Sequence, residues 1–471
     1  MAEGSGVWIS PDIFEADLRP PDWPDDPDIR RAVDWIHSFL EPGEWKRRRF
    51  AALHYFVNTA SGEAPADPAG KGRFFDERDQ FAWYLFLAQA YLDHPVIYDF
   101  TFGPRVMPIM AGIGRNVDLL KGVQGVEARV RRMIGREKGQ PNACLFELLV
   151  AAAYRQRGAE VSFVEEQPGV AKTHDLDVLL DGTLWAVECK RLEVGQYTED
   201  ERTRARQLWV PLAQGFQERN IDVYCNTRFL VELSKVAVEY LASKVKQWLA
   251  GGMLRPVTWS DSLSIGEIRR LDLGPLTCVL ENDDVALNSS RLYELLTGAY
   301  KPNGKFISSL HVQRADNPLY MSECLGGTVF DWESLSADSV DAKARYVLKR
   351  LSDANSQLPN ERPSIIHVGL EAVDGLEVER ARYDKIIRNI AEFDPGTKQL
   401  EYVYVTWFAP EAPPNNSGAF DETSHWQTVR PRRPRPLDSG LLVLPPALPS
   451  RDGAHWQPPH NPNPTFGMQV R

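Results

Sequence analysis

The sequence predicts an α/β protein: a mixed sheet flanked by helices, preceded by a mainly helical region and followed by a proline-rich tail. Segments with strand and helix patterns alternate through residues 141–408, and the apolar run at 365–370 is typical of a buried strand. The dipeptide Asp181-Gly182 lies between two segments of strand-forming residues and predicts a tight hairpin turn. At 471 residues the chain is long enough for two or three domains.

Composition divides the chain into four regions. Residues 1–24 are rich in proline and aspartate, and we expect them to be irregular. Residues 25–140 are predicted to be a mainly helical domain, with helices over 29–40, 44–58 and 76–92. Residues 141–408 are predicted to form the α/β domain, with an insertion. Residues 409–471 are proline-rich and are predicted to be an extended or partly disordered tail.

The α/β domain begins with an almost wholly apolar helix. Asn142 is predicted to cap this helix, and Gly158 to end it in the left-handed conformation. The predicted elements that follow are strands at 159–164, 176–180 and 183–187, a helix at 199–217, a strand at 221–225, a helix at 232–250, a strand at 276–280, a helix at 336–351, a strand at 365–370, a helix at 377–393 and a final strand at 402–408.

The Asp181-Gly182 turn sets the register of the hairpin. Counting outward from the turn, Asp177 lies opposite Ala186 and Asp175 lies opposite Glu188, with Cβ atoms roughly 4.5–5.5 Å apart. Directly opposed residues project to the same face of a sheet, so one face is polar and the other apolar. The polar face carries Asp175, Asp177, Glu188 and Lys190; the apolar face carries Leu176, Val178, Leu180, Trp185, Val187 and Cys189.

Two opposed carboxylates repel each other unless a cation lies between them. Oxygen ligands of this kind favour Mg²⁺ or Mn²⁺, and a Mg²⁺ site usually uses one or two carboxylates together with water and substrate phosphate. Asp175, Asp177 and Glu188 are therefore candidate metal ligands. Asp177 would replace Asp175 if the turn shifted by a residue or two. The alternative is a solvated hairpin face with ordinary surface charges.

Glu147 is the one acid inside the apolar helix that precedes the hairpin. A buried carboxylate needs a partner, which could be a cation, a lysine or a backbone donor. The alternative is an acid near the helix N-terminus that interacts favourably with the helix dipole.

Together these segments resemble the PD-(D/E)XK nuclease superfamily, which has the restriction-endonuclease-like fold. The resemblance rests on Glu147 in a helix, on Lys172-Thr-His174-Asp175 before the acidic strand, and on Glu188-Cys-Lys190-Arg191 in the next strand. His174 replaces the usual proline. The matching part spans roughly residues 142–225. The resemblance implies that Asp175 is the first acid, Glu188 the second acid, Lys190 the catalytic lysine and Glu147 an accessory acid.

This resemblance implies a Mg²⁺- or Mn²⁺-dependent endonuclease that hydrolyses phosphodiester bonds. DNA is favoured over RNA as the substrate, and defence against foreign DNA is the role suggested by family analogy. Asp175 and Glu188 would bind the metal, Lys190 would orient the water or stabilise developing charge, and Glu147 would hold the lysine or a water. The alternatives are a non-catalytic nucleic-acid- or protein-binding module on the same fold, and a nuclease acting on RNA.

A net charge of −11 argues against a broad basic surface that would coat nucleic acid. Local basic clusters nevertheless flank the candidate site in the sequence. We expect contacts with the nucleic-acid backbone from Arg131, Arg132, Arg202, Arg204 and Arg206, although such clusters are more often solvated faces. A homodimer is compatible with this function, because one such site cuts one strand.

The chain has five cysteines and no Cys-x-x-Cys pair, which is typical of free thiols in a reducing compartment. The first residues do not have the pattern of an export leader, and no run of 18 apolar residues is present, so we expect no membrane association. The predicted location is the cytoplasm.

A second stretch also matches the family letters. Pro27-Asp28 is followed by Glu44-Trp45-Lys46, but the apolar residues between them recur at helical spacing. No hairpin is predicted to bring Asp28 to Glu44, and this match is rejected.

Overall fold

The computed structural model describes residues 10–457, except 16–18, 22, 61–72, 166–172, 194, 345–346 and 449–452. Two six-stranded mixed sheets with helices packed against them form the frame of the protein. This confirms the predicted α/β class with a mixed sheet flanked by helices. Lys172 of the motif and residues 458–471 of the tail lie outside the described residues.

The N-terminal region is helical, as predicted. Its helices are α1 (Pro27–His37), α2 (Pro42–Ala60), α3 (Gln80–Asp93), α4 (Met107–Arg115), α5 (Val117–Lys121) and α6 (Val126–Ile134). Helices α1 and α4 cross so closely that a Cβ on Gly114 would lie 1.7 Å from the carbonyl oxygen of Asp28. The rejected motif residues lie on two different helices, where Asp28 pairs with Arg115 and Glu44 with Arg48.

The α/β part begins with α7 (Pro141–Gln156), β1 (Glu160–Phe163), β2 (Leu176–Leu180) and β3 (Thr183–Leu192). The predicted cap was wrong. Pro141, whose fixed φ suits the first helical position, starts the helix; Gln140 occupies the cap position without a side-chain bond, and Asn142 lies inside the helix. Gly158 has φ +86° and follows the helix in the left-handed conformation, as predicted.

The hairpin has the predicted turn and register. Asp181 and Gly182 have φ values of 48° and 73°, and Asp177 pairs with Ala186. The residues of the predicted apolar face are all buried: Leu176, Val178, Leu180, Trp185, Val187 and Cys189. Together with α7 they form part of the largest core, which continues into the N-terminal helices.

An insertion follows β3 and builds the second sheet, in which β4 is parallel to β9 and the strand order is β5-β6-β4-β9-β7, with β8 beside β9. Its elements are α8 (Gln196–Gln217), β4 (Val223–Phe229), α9 (Tyr240–Ala250), β5 (Val257–Ser260), β6 (Ser264–Arg270), α10 (Gly274–Leu280), β7 (Val285–Ala286), α11 (Ser290–Thr297), β8 (Phe306–Arg314), β9 (Tyr320–Ser334), α12 (Ala337–Ala344) and α13 (Val347–Gln357).

Two predictions for the insertion were wrong in detail. Residues 276–280 are helical rather than a strand, because Pro275 favours a helix start and Leu276 alone of the segment is buried. The helix predicted at 232–250 begins only at Tyr240, after a short 3₁₀ turn. The helix predicted at 336–351 is confirmed in its described residues, since Ala337–Ala344 and Val347–Gln357 are helical.

The chain then returns to the first sheet through β10 (Pro363–Glu371), α14 (Leu376–Ala391), β11 (Gln399–Glu411) and β12 (Ala419–Thr428). The strand order is β1-β2-β3-β10-β11-β12, and β10 is parallel to both β3 and β11. The segment around 402–408 is therefore not the final strand. The strand β12 was missed because its residues are mainly polar. One of them, Glu422, is buried, and its carboxylate accepts the backbone N–H groups of Leu442, Val443 and Leu444 from the tail.

Candidate active site

Asp175 lies where β2 and β3 separate. The ladder between the two strands ends at Leu176 and Val187, one residue after Asp175. The Asp175 N–H donates to the Val187 carbonyl at 3.1 Å, and its Oδ2 accepts the Cys189 N–H at 2.7 Å. These bonds hold the carboxylate against β3 beside Glu188, as the register predicted.

Glu188 is fully buried in β3, with 0% of its surface exposed. One carboxylate oxygen, Oε1, accepts a hydrogen bond from the Lys190 ammonium, two residues along the same strand face. The other oxygen, Oε2, is buried and has no permanent hydrogen-bond donor among the described residues; Asp175 can donate to Glu188 only while it keeps a proton. When both acids are ionised, a buried carboxylate oxygen without a donor is costly.

The two acids are electrostatically coupled. Burial, followed by the charges of Glu147 and Glu188, raises the pKa of Asp175 well above its usual range. Burial raises the pKa of Glu188 to about 7, although the charge of Lys190 and hydrogen bonds from Lys190 and Asp175 act in the opposite direction. The pair therefore retains a proton near neutral pH when no cation is bound.

Lys190 remains an ammonium at neutral pH. Burial by itself would lower the pKa of Lys190, but the charge and hydrogen bond of Glu188 outweigh it, and the pKa is raised. The side chain is 22% exposed, so a ligand that approaches this face can reach it.

Glu147 is held by an arginine rather than by the lysine. The guanidinium of Arg129 on α6 donates to both carboxylate oxygens of Glu147, with the Nη2–Oε1 bond at 2.8 Å. Arg129 also bonds Glu137. Glu147 was expected to hold Lys190 or a water, but its partner in the structure is Arg129. The charge of Glu147 nevertheless raises the pKa of Asp175. The sequence places Arg129 in a basic cluster but does not reveal this buried pair.

Asp177 is engaged elsewhere on the hairpin face. Its Oδ1 lies 2.6 Å from His174 Nε2 and 2.9 Å from Arg362 Nη2. Burial opposes ionisation, but the hydrogen bonds and charges of His174 and Arg362 lower the pKa of Asp177. Arg362 precedes β10, nearly two hundred residues away in the chain, and no local pattern in the sequence indicates this contact.

The predicted nucleic-acid contacts lie on two helices. On α6, Arg131 stacks over Phe39 at 5.3 Å and Arg132 pairs with Glu137 at 3.0 Å. On α8, Arg202 pairs with Glu199, and Arg204 donates to the Val236 carbonyl. Arg206 is partly buried. Residues two apart on a helix point in different directions, so the three arginines of α8 do not share one side. Their nucleic-acid contacts stay predictions.

The arrangement fits a small divalent cation. Among the described residues, no group of three or more His, Cys, Asp or Glu side chains is placed to hold a metal ion. Mg²⁺ needs only one or two carboxylates, however, and takes its other ligands from water and phosphate. Asp175 and the unpartnered Oε2 of Glu188 offer such a pair of carboxylates.

A scan against protein-family models matches no family, and comparisons with curated proteins and with solved structures return no match. The resemblance noted above therefore depends on the residues and their geometry alone. No helix in the described ranges is both long and apolar enough to cross a bilayer.

Proposed function

We propose that the chain is a Mg²⁺-dependent nuclease of the PD-(D/E)XK type, acting on DNA in preference to RNA. The observation that carries the proposal is the convergence of Asp175, Glu188 and Lys190 around a buried carboxylate oxygen that has no permanent hydrogen-bond donor. The ion pair with Lys190 satisfies only one oxygen of Glu188. A bound cation would neutralise the second oxygen of Glu188 and the neighbouring Asp175.

The order of elements supports the same proposal. Helix α7 carries Glu147 and is followed by β1, the acidic strand β2 and the Glu-x-Lys strand β3, as the resemblance implies. We propose that the first sheet is a restriction-endonuclease-like core and that residues 193–358 are the insertion within it.

Mg²⁺ or Mn²⁺, held by Asp175 and Glu188, would supply a bound water of lowered pKa and charge stabilisation at the phosphate oxygens. The protein side chains then have separate roles. Asp175 and Glu188 must give up the proton they retain before both can act as anionic ligands. Lys190 carries a positive charge at neutral pH, which suits stabilisation of developing negative charge rather than proton abstraction. Arg129 fixes Glu147, whose negative charge favours a cation near Asp175.

The test compares two Glu-x-Lys sequences of the same chain. Purified full-length protein is incubated with plasmid, single-stranded DNA and RNA, in Mg²⁺ or in EDTA. We expect Mg²⁺-dependent cleavage that is lost in Lys190→Ala and retained in Lys46→Ala, since Lys46 belongs to the rejected motif and is 66% exposed. Unchanged cleavage by Lys190→Ala protein would rule out the mechanism, and faster RNA digestion would reassign the substrate.

A second candidate is a non-catalytic module that binds nucleic acid or a protein on the same fold. It predicts no uptake of Mg²⁺ or Mn²⁺ at millimolar concentrations, which calorimetry would show. The retention of Asp175, Glu188 and Lys190 in one site favours the nuclease. Homodimer formation, a cytoplasmic location and a role in defence against foreign DNA remain proposals that follow from the nuclease assignment.

A further inference from the structure

Three arginines lie around the carboxyl ends of the parallel strands of the first sheet. Arg191 is the penultimate residue of β3, Arg202 lies on α8, and Arg105 lies in a 3₁₀ turn of the N-terminal region. The last residue of β10, Glu371, approaches Arg105 at 3.7 Å. The crevice beyond the carboxyl ends of parallel strands is where open α/β sheets commonly bind ligands.

Arg191 and Lys190 are neighbours in sequence but face opposite sides of the sheet. Arg191 pairs in register with Gly369, where Phe146 of α7 packs, and its guanidinium lies 4.7 Å from the ring centre of Phe408. Lys190 lies on the other face with Glu188. The arginine group is therefore separate from the candidate active site.

The Arg191 guanidinium has fewer hydrogen-bond partners than its burial demands. Arg191 Nη1 is buried and has no hydrogen-bond acceptor among the described residues, and Arg191 forms no ion pair with a described carboxylate. The Arg105–Glu371 contact at 3.7 Å is longer than a hydrogen bond. Glu199 is shared, since it accepts from both Arg202 and Arg73.

The charges around the group are mixed. Burial lowers the pKa of Arg191 and the charge of Arg105 adds to this, although Glu371, Tyr84 and Glu193 act in the opposite direction. Burial also lowers the pKa of Arg202; Glu199 and Asp374 oppose this effect, and Arg105 and Arg73 add to it. Arg105 and Arg202 are about one-quarter exposed, at 25% and 30%, so the group is open to a small solute.

We propose that Arg105, Arg191 and Arg202 form a subsite for a phosphate-type oxyanion, distinct from the Asp175–Glu188–Lys190 face. The planar fork of each guanidinium matches phosphate oxygens, and such an anion would supply the acceptor that the buried Nη1 of Arg191 lacks. The same chemistry fits a free nucleotide or phosphate and the terminal phosphate of a nucleic-acid strand. The subsite does not depend on nuclease activity.

The test uses the full-length protein in EDTA, with inorganic phosphate as the probe and chloride of equal ionic strength as the salt control. We expect phosphate to raise Tm by at least about 2 °C at ten times its dissociation constant, and calorimetry to show saturable binding. Both effects should be lost in Arg191→Met and Arg105→Gln. They should persist in Arg228→Gln, a half-exposed arginine of the second sheet, and in Lys190→Ala.

A purely structural role for Arg191 makes the opposite prediction. In phosphate-free buffer, Arg191→Met should hold or raise Tm if the buried cation lacks a partner, and should lower Tm if the arginine supports the fold. Equal stabilisation by chloride, or a phosphate response that survives in Arg191→Met and Arg105→Gln, would overturn the proposal.

Competition identifies the source of the phosphate. Displacement of phosphate by AMP, but not by a 5′-phosphorylated oligonucleotide, would assign the subsite to small nucleotides. Displacement by the phosphorylated oligonucleotide, but not by its 5′-hydroxyl counterpart, would assign it to a strand end.

Discussion

Each of the two sheets buries an acid that is paired with a lysine, and the two acids differ in their remaining contacts. Glu188 lies in β3 of the first sheet and Asp331 in β9 of the second, with exposures of 0% and 2%. Lys190 bonds Glu188, and Lys301 bonds Asp331.

The second sheet gives one oxygen of its acid three donors. Besides Lys301, Asp331 Oδ2 accepts from the Tyr224 hydroxyl and from Asn226 Nδ2, each at 3.1 Å, and no fully buried oxygen of Asp331 lacks a partner. Glu188 instead has an unpartnered oxygen and a second carboxylate, Asp175, beside it. Burial and a lysine partner are therefore not signs of function by themselves. An unpartnered oxygen is not a sign of function by itself either, since both oxygens of buried Glu201, which pairs with Lys343 at 2.6 Å, also lack a hydrogen-bond partner among the described residues. The neighbouring acid Asp175 is the feature that distinguishes Glu188 from Asp331.

The largest expected effect is the difference in cleavage rate between the Lys190 and Lys301 variants. Lys190→Ala should reduce the rate of Mg²⁺-dependent cleavage by about 100- to 1,000-fold, as for loss of a group that stabilises transition-state charge. Lys301→Ala should leave the single-turnover rate nearly unchanged and lower Tm instead. Equal loss of activity in both proteins would remove the functional distinction between the sheets.

Loss of the acid should destabilise the second sheet more than the first. Asp331→Ala leaves Lys301 and two hydrogen-bonding side chains without their acceptor, and should cost about 3 kcal/mol of unfolding free energy. Glu188→Gln removes an incompletely bonded buried acid and should cost less than about 1 kcal/mol at pH 8. Urea titrations of the three proteins measure both differences. A larger loss in Glu188→Gln would indicate a structural role for that carboxylate.

The pH dependence of stability gives a third contrast. The pKa of Glu188 is raised to about 7 in the folded protein, above its ordinary value of 4.5. The folded state therefore binds more protons between these values, and its stability falls as the pH rises from about 5 to about 8. Glu188→Gln should flatten this fall by up to about 3 kcal/mol. Unfolding free energies of both proteins at pH 5, 6.5 and 8 provide the comparison, and parallel curves would contradict it.

The smallest effect is expected at Asp177. Since His174 and Arg362 already engage this carboxylate, Asp177→Asn should change cleavage by less than about fivefold and cost about 1 kcal/mol of stability. Because the pKa of Asp177 is lowered, its contribution is present above the ordinary aspartate pKa and is lost as the pH falls through the lowered value. A loss of cleavage as large as in Lys190→Ala would make Asp177 a metal ligand.

Local patterns in the sequence were enough for the hairpin. The Asp181-Gly182 turn favours the register that the structure shows, and the alternation of apolar and polar residues assigns each side chain to a face. They also separated Glu188-Cys-Lys190 from Glu44-Trp-Lys46, because helical spacing excludes a hairpin at the second site. The polar strand β12 was missed because it has no apolar alternation of its own. The helix at Gly274–Leu280 was predicted as a strand from its apolar residues, although Pro275 is a local helix-start signal.

The sequence by itself determined the α/β class, the hairpin register and the face that Asp175, Glu188 and Lys190 share. These features depend on interactions between residues close in the chain. Only the tertiary structure decided that Arg129 holds Glu147, that Arg362 holds Asp177, and that an oxygen of Glu188 is left without a partner. The physical reason is that ion pairing and desolvation depend on distances between elements far apart in sequence, which no local pattern specifies.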